Sequence, residues 1–225
     1  MLLWDLETER VIERWEMPVE RLSFSPTSTR MAWDNAITGE VMVWDITGDR
    51  LHTFEQFRAI SSQIHVSRDG DTLITYGARS SIDIWEITAS GIHHRHTIPN
   101  QSVDLVGDVW IVTQSGQGFE LWEVSSGLRR LEIENPYTCR EPIVSSSSQY
   151  LACSVDPATP NERLIIWDLE TGEERFSIPL FGLELAFNAQ DERIAVGGRD
   201  RMELWQLDEP MQIERILWER SADSV

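Results

Sequence analysis

VMVWDITG at residues 41–48 and LIIWDLET at residues 164–171 are two versions of one phrase: alternating apolar residues, a tryptophan, an acid, then turn formers. In the first, Met42, Trp44 and Ile46 alternate with Val43 and Asp45, which is the period of two expected of a β-strand, and Thr47-Gly48 closes it with a turn. The phrase recurs with variation as LLWDLETE at 2–9, IDIWEITA at 82–89, FELWEVSS at 119–126 and MELWQLDE at 202–209. Its tryptophans, Trp4, Trp44, Trp85, Trp122, Trp167 and Trp205, are spaced by 40, 41, 37, 45 and 38 residues, so the chain is an internal repeat.

Working outward from each phrase completes the unit. Upstream of the last five tryptophans lie paired apolar runs joined by polar turns, as in RLSFSPTSTRMAW (21–33), SQIHVSRDGDTLITYG (62–77) and ELAFNAQDERIAVGG (184–198), each reading as a hairpin. Downstream of every tryptophan comes a turn and a fourth run, such as Arg50 to Phe54 or Glu174 to Ile178. The unit is therefore four strands, a to d, with the tryptophan near the end of c, and the count is 22 strands. A four-stranded meander has two apolar faces and buries neither alone, so neighbouring units must stack. Each c-strand indole is expected between adjacent sheets, where burying ~150–250 Å² at ~25 cal/mol per Å² contributes about 4–6 kcal/mol as an upper bound.

Composition narrows the function. The chain has 225 residues with 38 acids against 19 bases, a net charge of -19, which opposes binding to nucleic acid or an anionic membrane. All 19 bases are arginine, so Schiff-base chemistry and the lysine phosphate loop are excluded. No 7–15-residue apolar leader and no long apolar run is present, and Cys139 and Cys153 do not make a disulfide framework. Free thiols and a cytoplasmic location are the expectation.

These residues resemble the tryptophan-aspartate (WD) repeat β-propeller family over Met1 to about Trp218. WD stands at Trp4-Asp5, Trp44-Asp45 and Trp167-Asp168, and becomes WE at Trp85-Glu86 and Trp122-Glu123 and WQ at Trp205-Gln206. The family's F-S-P-D-G turn is similar to Phe24-Ser25-Pro26-Thr27-Ser28 and Val66-Ser67-Arg68-Asp69-Gly70. No Gly-His dipeptide occurs, so the family's His-Ser-Asp-Trp tetrad cannot form in its usual residues; Asp34, Asp156 and Asp200 are the candidate b–c loop aspartates. The resemblance implies an all-β WD-type propeller of five complete four-stranded blades plus an N-terminal half blade. The repeats are 1–15 (partial), 16–56, 57–99, 100–135, 136–179 and 180–220, followed by a polar tail, 221–225. Because residues 1–3 fall in the place of strand c, the reading favours part of a larger six- or seven-bladed ring. The alternative is a self-sufficient five-bladed ring whose open edge at residues 1–4 invites pairing with another copy.

Candidate chemistry is sparse. His93, His94 and His96 form the one histidine cluster, with His94 and His96 on one face of a regular strand, but no acid or cysteine nearby completes a metal site. Asp69-Gly70-Asp71 and the run Ser145 to Ser148 read as a–b turns, and Cys139 beside Arg140 as an ordinary thiol. No cofactor is expected. The resemblance implies a non-catalytic scaffold binding a protein or peptide on the face of the d–a and b–c loops, and the acidity favours a basic partner surface. Candidate contacts are Phe57, Arg58, Tyr137, Arg140 and Phe181 on d–a loops and Arg79 and Arg199 on b–c loops, because arginine and aromatic residues anchor interfaces. The alternatives are a propeller enzyme of lactonase or hydrolase type acting at the central channel, and a structural fragment of a larger regulatory protein.

Overall fold

A computed structural model describes residues 1–27, 29–47, 50–54, 62–77, 81–99, 102–115, 118–134, 139–155, 162–179, 182–198, 201–208 and 211–217. Twenty-two strands and no helix occur among them. β1 (Leu2–Asp5) and β2 (Arg10–Arg14) form a two-stranded antiparallel sheet. Five four-stranded meanders follow. The first is β3 (Val19–Phe24), β4 (Arg30–Asn35), β5 (Val41–Asp45) and β6 (Arg50–Phe54); the second is β7 (Ser62–Val66), β8 (Thr72–Gly77), β9 (Ile82–Thr88) and β10 (Gly91–Ile98). The third is β11 (Ser102–Val106), β12 (Trp110–Ser115), β13 (Gly118–Glu123) and β14 (Leu128–Glu134). The fourth is β15 (Cys139–Val144), β16 (Tyr150–Val155), β17 (Arg163–Asp168) and β18 (Glu174–Pro179), and the fifth β19 (Gly182–Phe187), β20 (Arg193–Gly198), β21 (Arg201–Gln206) and β22 (Met211–Leu217).

The a–b turns share one device. Ser25 Oγ accepts the N–H groups of Thr29 and Arg30, Ser67 Oγ that of Thr72, and Ser145 Oγ that of Tyr150, while Asn188 Oδ1 takes the same part for Glu192 and Arg193. A short polar side chain thus closes the hairpin by satisfying backbone donors the ladder leaves over. After strand c, Asp5 and Asp168 each accept two turn N–H groups through Oδ1. Where glutamate replaces this aspartate the longer side chain leaves the turn: Glu123 pairs with Arg130 at 2.7 Å, and Glu86 pairs with Arg95. Gly172 closes its turn at φ +78°, and a Cβ there would stand 2.9 Å from Leu131 Cδ1.

Two compact units are present: Met1–Ser102 with Val124–Gly127, and Val103–Glu123 with Leu128–Val225. In the first unit, Met31, Trp33, Met42 and Trp44 pack with Leu3, Trp15 and Met17, and the Trp15 ring lies 5.0 Å from Trp33 and 5.3 Å from Trp44. A second core there joins Ala32, Val41 and Val43 to Val66, Leu73 and Trp85. In the other unit, Phe119, Leu121 and Ile133 of one sheet meet Leu151, Ile165 and Trp167 of the next, and Ile166 and Leu164 meet Ile194, Val196 and Trp205. Each core is one sheet's apolar face against a neighbour's tryptophan face.

Three expectations need correction. Trp44, Trp85 and Trp167 are 6, 8 and 3% exposed, but Trp4 is 52% exposed, because the face of the β1–β2 sheet that carries Leu2 and Trp4 has no described sheet upon it. His94 and His96 do not share a face. The β9–β10 register places His94 opposite Trp85 and His96 opposite Ile84, with Arg95 as an extra residue between them, and such a bulge reverses the alternation. The cysteines are not free thiols: Cys139 and Cys153 form a disulfide. Cys139 sits opposite Val155 on the neighbouring strand, so Cys153, two residues along, lies diagonally across on the same face with Cα atoms 5.9 Å apart. A paired Cys139–Cys153 no longer points to a reducing compartment.

Candidate functional site

The d–a and b–c loops emerge at one end of each sheet. There β3 carries a bulge between Val19 and Leu22, which lifts Glu20 and Arg21 out of the ladder. The displaced donors are recovered by Asp34, at the end of β4: its Oδ1 accepts the N–H groups of Glu20 at 3.1 Å and Arg21 at 2.8 Å, and its Oδ2 takes the Arg21 guanidinium at 3.1 Å. The other arm of Arg21 reaches Glu20 Oε1 at 2.9 Å. With side chains only 15% and 10% exposed, Arg21 and Asp34 form a sheltered, hydrogen-bonded pair that fixes the loop rather than a mobile surface contact. Glu20 and Arg21 line an open pocket of about 560 Å³ together with Met1, Met17, Pro18, Val19 and Leu22. Two further a strands bulge near the same end, β15 between Arg140 and Ile143 and β19 between Gly182 and Glu184.

At the opposite end the a–b turns of successive sheets are tied together. Arg30 donates to the Gly70 carbonyl at 2.6 Å and pairs with Asp71 at 2.5 Å, and Thr27 donates to the Arg68 carbonyl. Asp191, at positive φ in its own turn, accepts the backbone N–H of Ser146 at 2.9 Å and of Ser147 at 2.6 Å. Burial pushes the Asp191 carboxyl up, but the hydrogen bonds from Ser147, Ser145 and Ser146 outweigh it and hold the group below its ordinary value of 3.8. The serine run is thus a carboxylate receptor joining two sheets. Trp110 makes the third tie, its indole N–H donating to the Ser148 carbonyl at 3.2 Å, and it lines a cleft of about 530 Å³ with Glu123, Arg130, Leu131, Asp168 and Glu170.

No protein-family model and no curated protein matches the sequence. Solved structures are. The β-propeller domain of Myceliophteria thermophila Cps50 (Swd1) superposes with a TM-score of 0.61 at 10% identity, over 91% of this chain and 73% of that one. This chain is a divergent β-propeller. A second propeller, the dihydro-heme d1 dehydrogenase NirN in complex with DHE, gives a TM-score of 0.69 at 15% identity over 98% of this chain, which spans about half, 53%, of NirN.

Within the blades, two of the c-strand tryptophans are held by a threonine of strand b. Trp85 donates its indole N–H to Thr75 Oγ1, and Trp122 to Thr113 Oγ1, each at 3.0 Å. The acid two residues before each tryptophan then engages strand d: Asp83 accepts from Thr97 at 2.6 Å with His94 3.4 Å away, and Glu120 accepts from Arg129 at 2.6 Å. In the last blade Trp205 donates to Glu203 instead. Sequence reading missed these acids because it sought the missing histidine, although the spacing of acid, one residue, tryptophan was visible.

Phe57, Arg58, Arg79, Tyr137, Phe181 and Arg199 lie outside the described residues, as do Asp156 and Asp200; Arg140 is placed only as backbone, opposite Ser154. Of the candidate aspartates Asp34 is the one described, and it is a structural clamp. The histidines are engaged separately, His93 with Ser90, His94 with Thr97 and His96 with the Ser125 carbonyl. Among the described residues no group of three or more His, Cys, Asp or Glu is placed to hold a metal ion, and no helix is long and apolar enough to cross a membrane.

Proposed function

We propose that this propeller is a non-catalytic interaction module that binds a protein or peptide on the blade end where the d–a and b–c loops emerge. The observation that supports it is the Asp34 clamp: one buried carboxylate gathers two backbone N–H groups and the Arg21 guanidinium, and so holds the backbone of Glu20 and Arg21 beside an open pocket that they line with Met1, Met17 and Val19. Binding residues are disproportionately carried on loops that a scaffold positions. The net charge of -19 favours a partner with a basic surface. Cps50 (Swd1) and NirN resemble the chain in fold alone, so the dehydrogenase chemistry of NirN is not carried over.

The test is capture of cellular partners with and without the changes Arg58→Ala, Arg140→Ala and Arg199→Ala made together. Capture falls away if this face binds; capture at the wild-type level overturns the reading.

Self-association is a second reading, favoured by the exposed apolar residues of the β1–β2 sheet, where Leu2, Trp4, Val11 and Ile12 are 51, 52, 45 and 49% exposed. Sedimentation should then show a concentration-dependent dimer that Trp4→Ser weakens, and a monomer at every concentration contradicts it.

A further inference from the structure

At the end of the blades away from that loop face, the Trp110 cleft has a chemistry of its own. One wall is the half-buried Trp110 indole, whose N–H donates to the Ser148 carbonyl at 3.2 Å. Leu131 and Leu169 add apolar surface, and both belong to or pack against the Phe119–Trp167 core, so this lining is rigid. Three carboxylates, Glu123, Asp168 and Glu170, stand against the single base Arg130, which Glu123 already engages at 2.7 and 3.0 Å. Asp168 commits Oδ1 to the turn N–H groups of Glu170 and Thr171, and the Glu170 side chain is exposed.

We infer that this cleft receives a cationic side chain, an arginine above all, from a partner protein. A guanidinium stacks flat on an indole and presents a fork of N–H donors to carboxylates, so one group satisfies both walls. An anion would meet three acids and a single arginine already paired with Glu123, and an uncharged apolar ligand would strip water from carboxylates without replacing it. The cleft lies at the a–b turn end of its own two sheets, away from their d–a and b–c loops.

The probe is a short capped peptide, alanine apart from one central arginine, titrated into the full chain and followed by calorimetry and tryptophan fluorescence. Its counterpart carries citrulline, which keeps the shape and removes the charge. The expected results are binding of the arginine peptide that the citrulline peptide loses by about tenfold or more, a loss of about tenfold in Trp110→Ala and of about threefold in Glu170→Gln, and weakening as salt rises. Trp110→Phe, which keeps an aromatic wall, retains most of the affinity and serves if Trp110→Ala does not fold. Equal binding of the two peptides, affinity unchanged in Trp110→Ala and Glu170→Gln, or no binding of the arginine peptide at about 1 mM overturns the inference. The peptide titration reads this cleft and the pull-down with the loop arginines reads the other face, so either can fail alone.

Discussion

Trp122 and Trp167 hold corresponding places in two consecutive blades and are kept there by different means. Trp122 is half-buried and donates to Thr113, beside a Glu120–Arg129 pair. Trp167 is 3% exposed with no polar residue at the matching places: Ile165 stands where Glu120 does and Cys153 where Thr113 does, and the ring packs edge-on to Phe119 at 5.9 Å. The disulfide from Cys153 to Cys139 then supplies the cross-strand link. One blade fixes its indole by direction and the other by packing and a covalent staple. The cost of losing any one element should therefore differ from blade to blade.

The largest effect is expected at Trp167. Trp167→Ala removes a fully enclosed indole, and equilibrium unfolding should show a loss of about 3–5 kcal/mol. Next comes the staple: with a sequence separation of 14, replacing both cysteines with alanine should remove about 3 kcal/mol, and adding reductant to the wild type should bring the two proteins together. If reduction leaves the melting temperature unchanged, the covalent half of the comparison is wrong. Thr113→Val and Thr75→Val remove the hydroxyls that accept the Trp122 and Trp85 indole N–H groups and should each cost about 1–2 kcal/mol, whereas the equivalent Cys153→Val, made in the absence of Cys139, should not show that polar penalty.

Acid provides a smaller and distinguishable effect. Asp191 is held below its ordinary value of 3.8, so its folded form binds a proton less readily than its unfolded form. The stability it confers is complete above the unfolded value and drains as pH falls through the lower folded one. Asp191→Asn should flatten that acid limb while lowering stability at neutral pH; an unchanged acid limb contradicts the Ser146–Ser147 receptor. The smallest effect belongs to the half-exposed member of the series: Trp4→Ser should shift stability by no more than about 0.5 kcal/mol.

Much of this was legible in the sequence. The strands stand where alternating residues and turn formers put them, and Ser25 and Ser67 close the turns that their flanking residues announced. The disulfide was hidden because Cys139 and Cys153 become neighbours only once the β15–β16 register is known. The extra residue beside the tryptophan was hidden too: at Arg95, Arg130 and Arg175 strand d carries one residue more than strand c, and two-residue periodicity cannot reveal a defect in itself. Trp110 read as one apolar residue of a hairpin, since nothing local signals that its indole reaches the Ser148 turn 38 residues on. Trp4 carried the full phrase and yet lies half open, because burial of a repeat residue depends on the neighbouring sheet.

The central claim is that tryptophans about forty residues apart are the contacts between stacked sheets. Solvent paramagnetic relaxation measured at each assigned indole N–H tests it directly. Trp44, Trp85 and Trp167 should be shielded, Trp122 and Trp205 intermediate, and Trp4 strongly relaxed; equal, strong relaxation at all six would contradict the account.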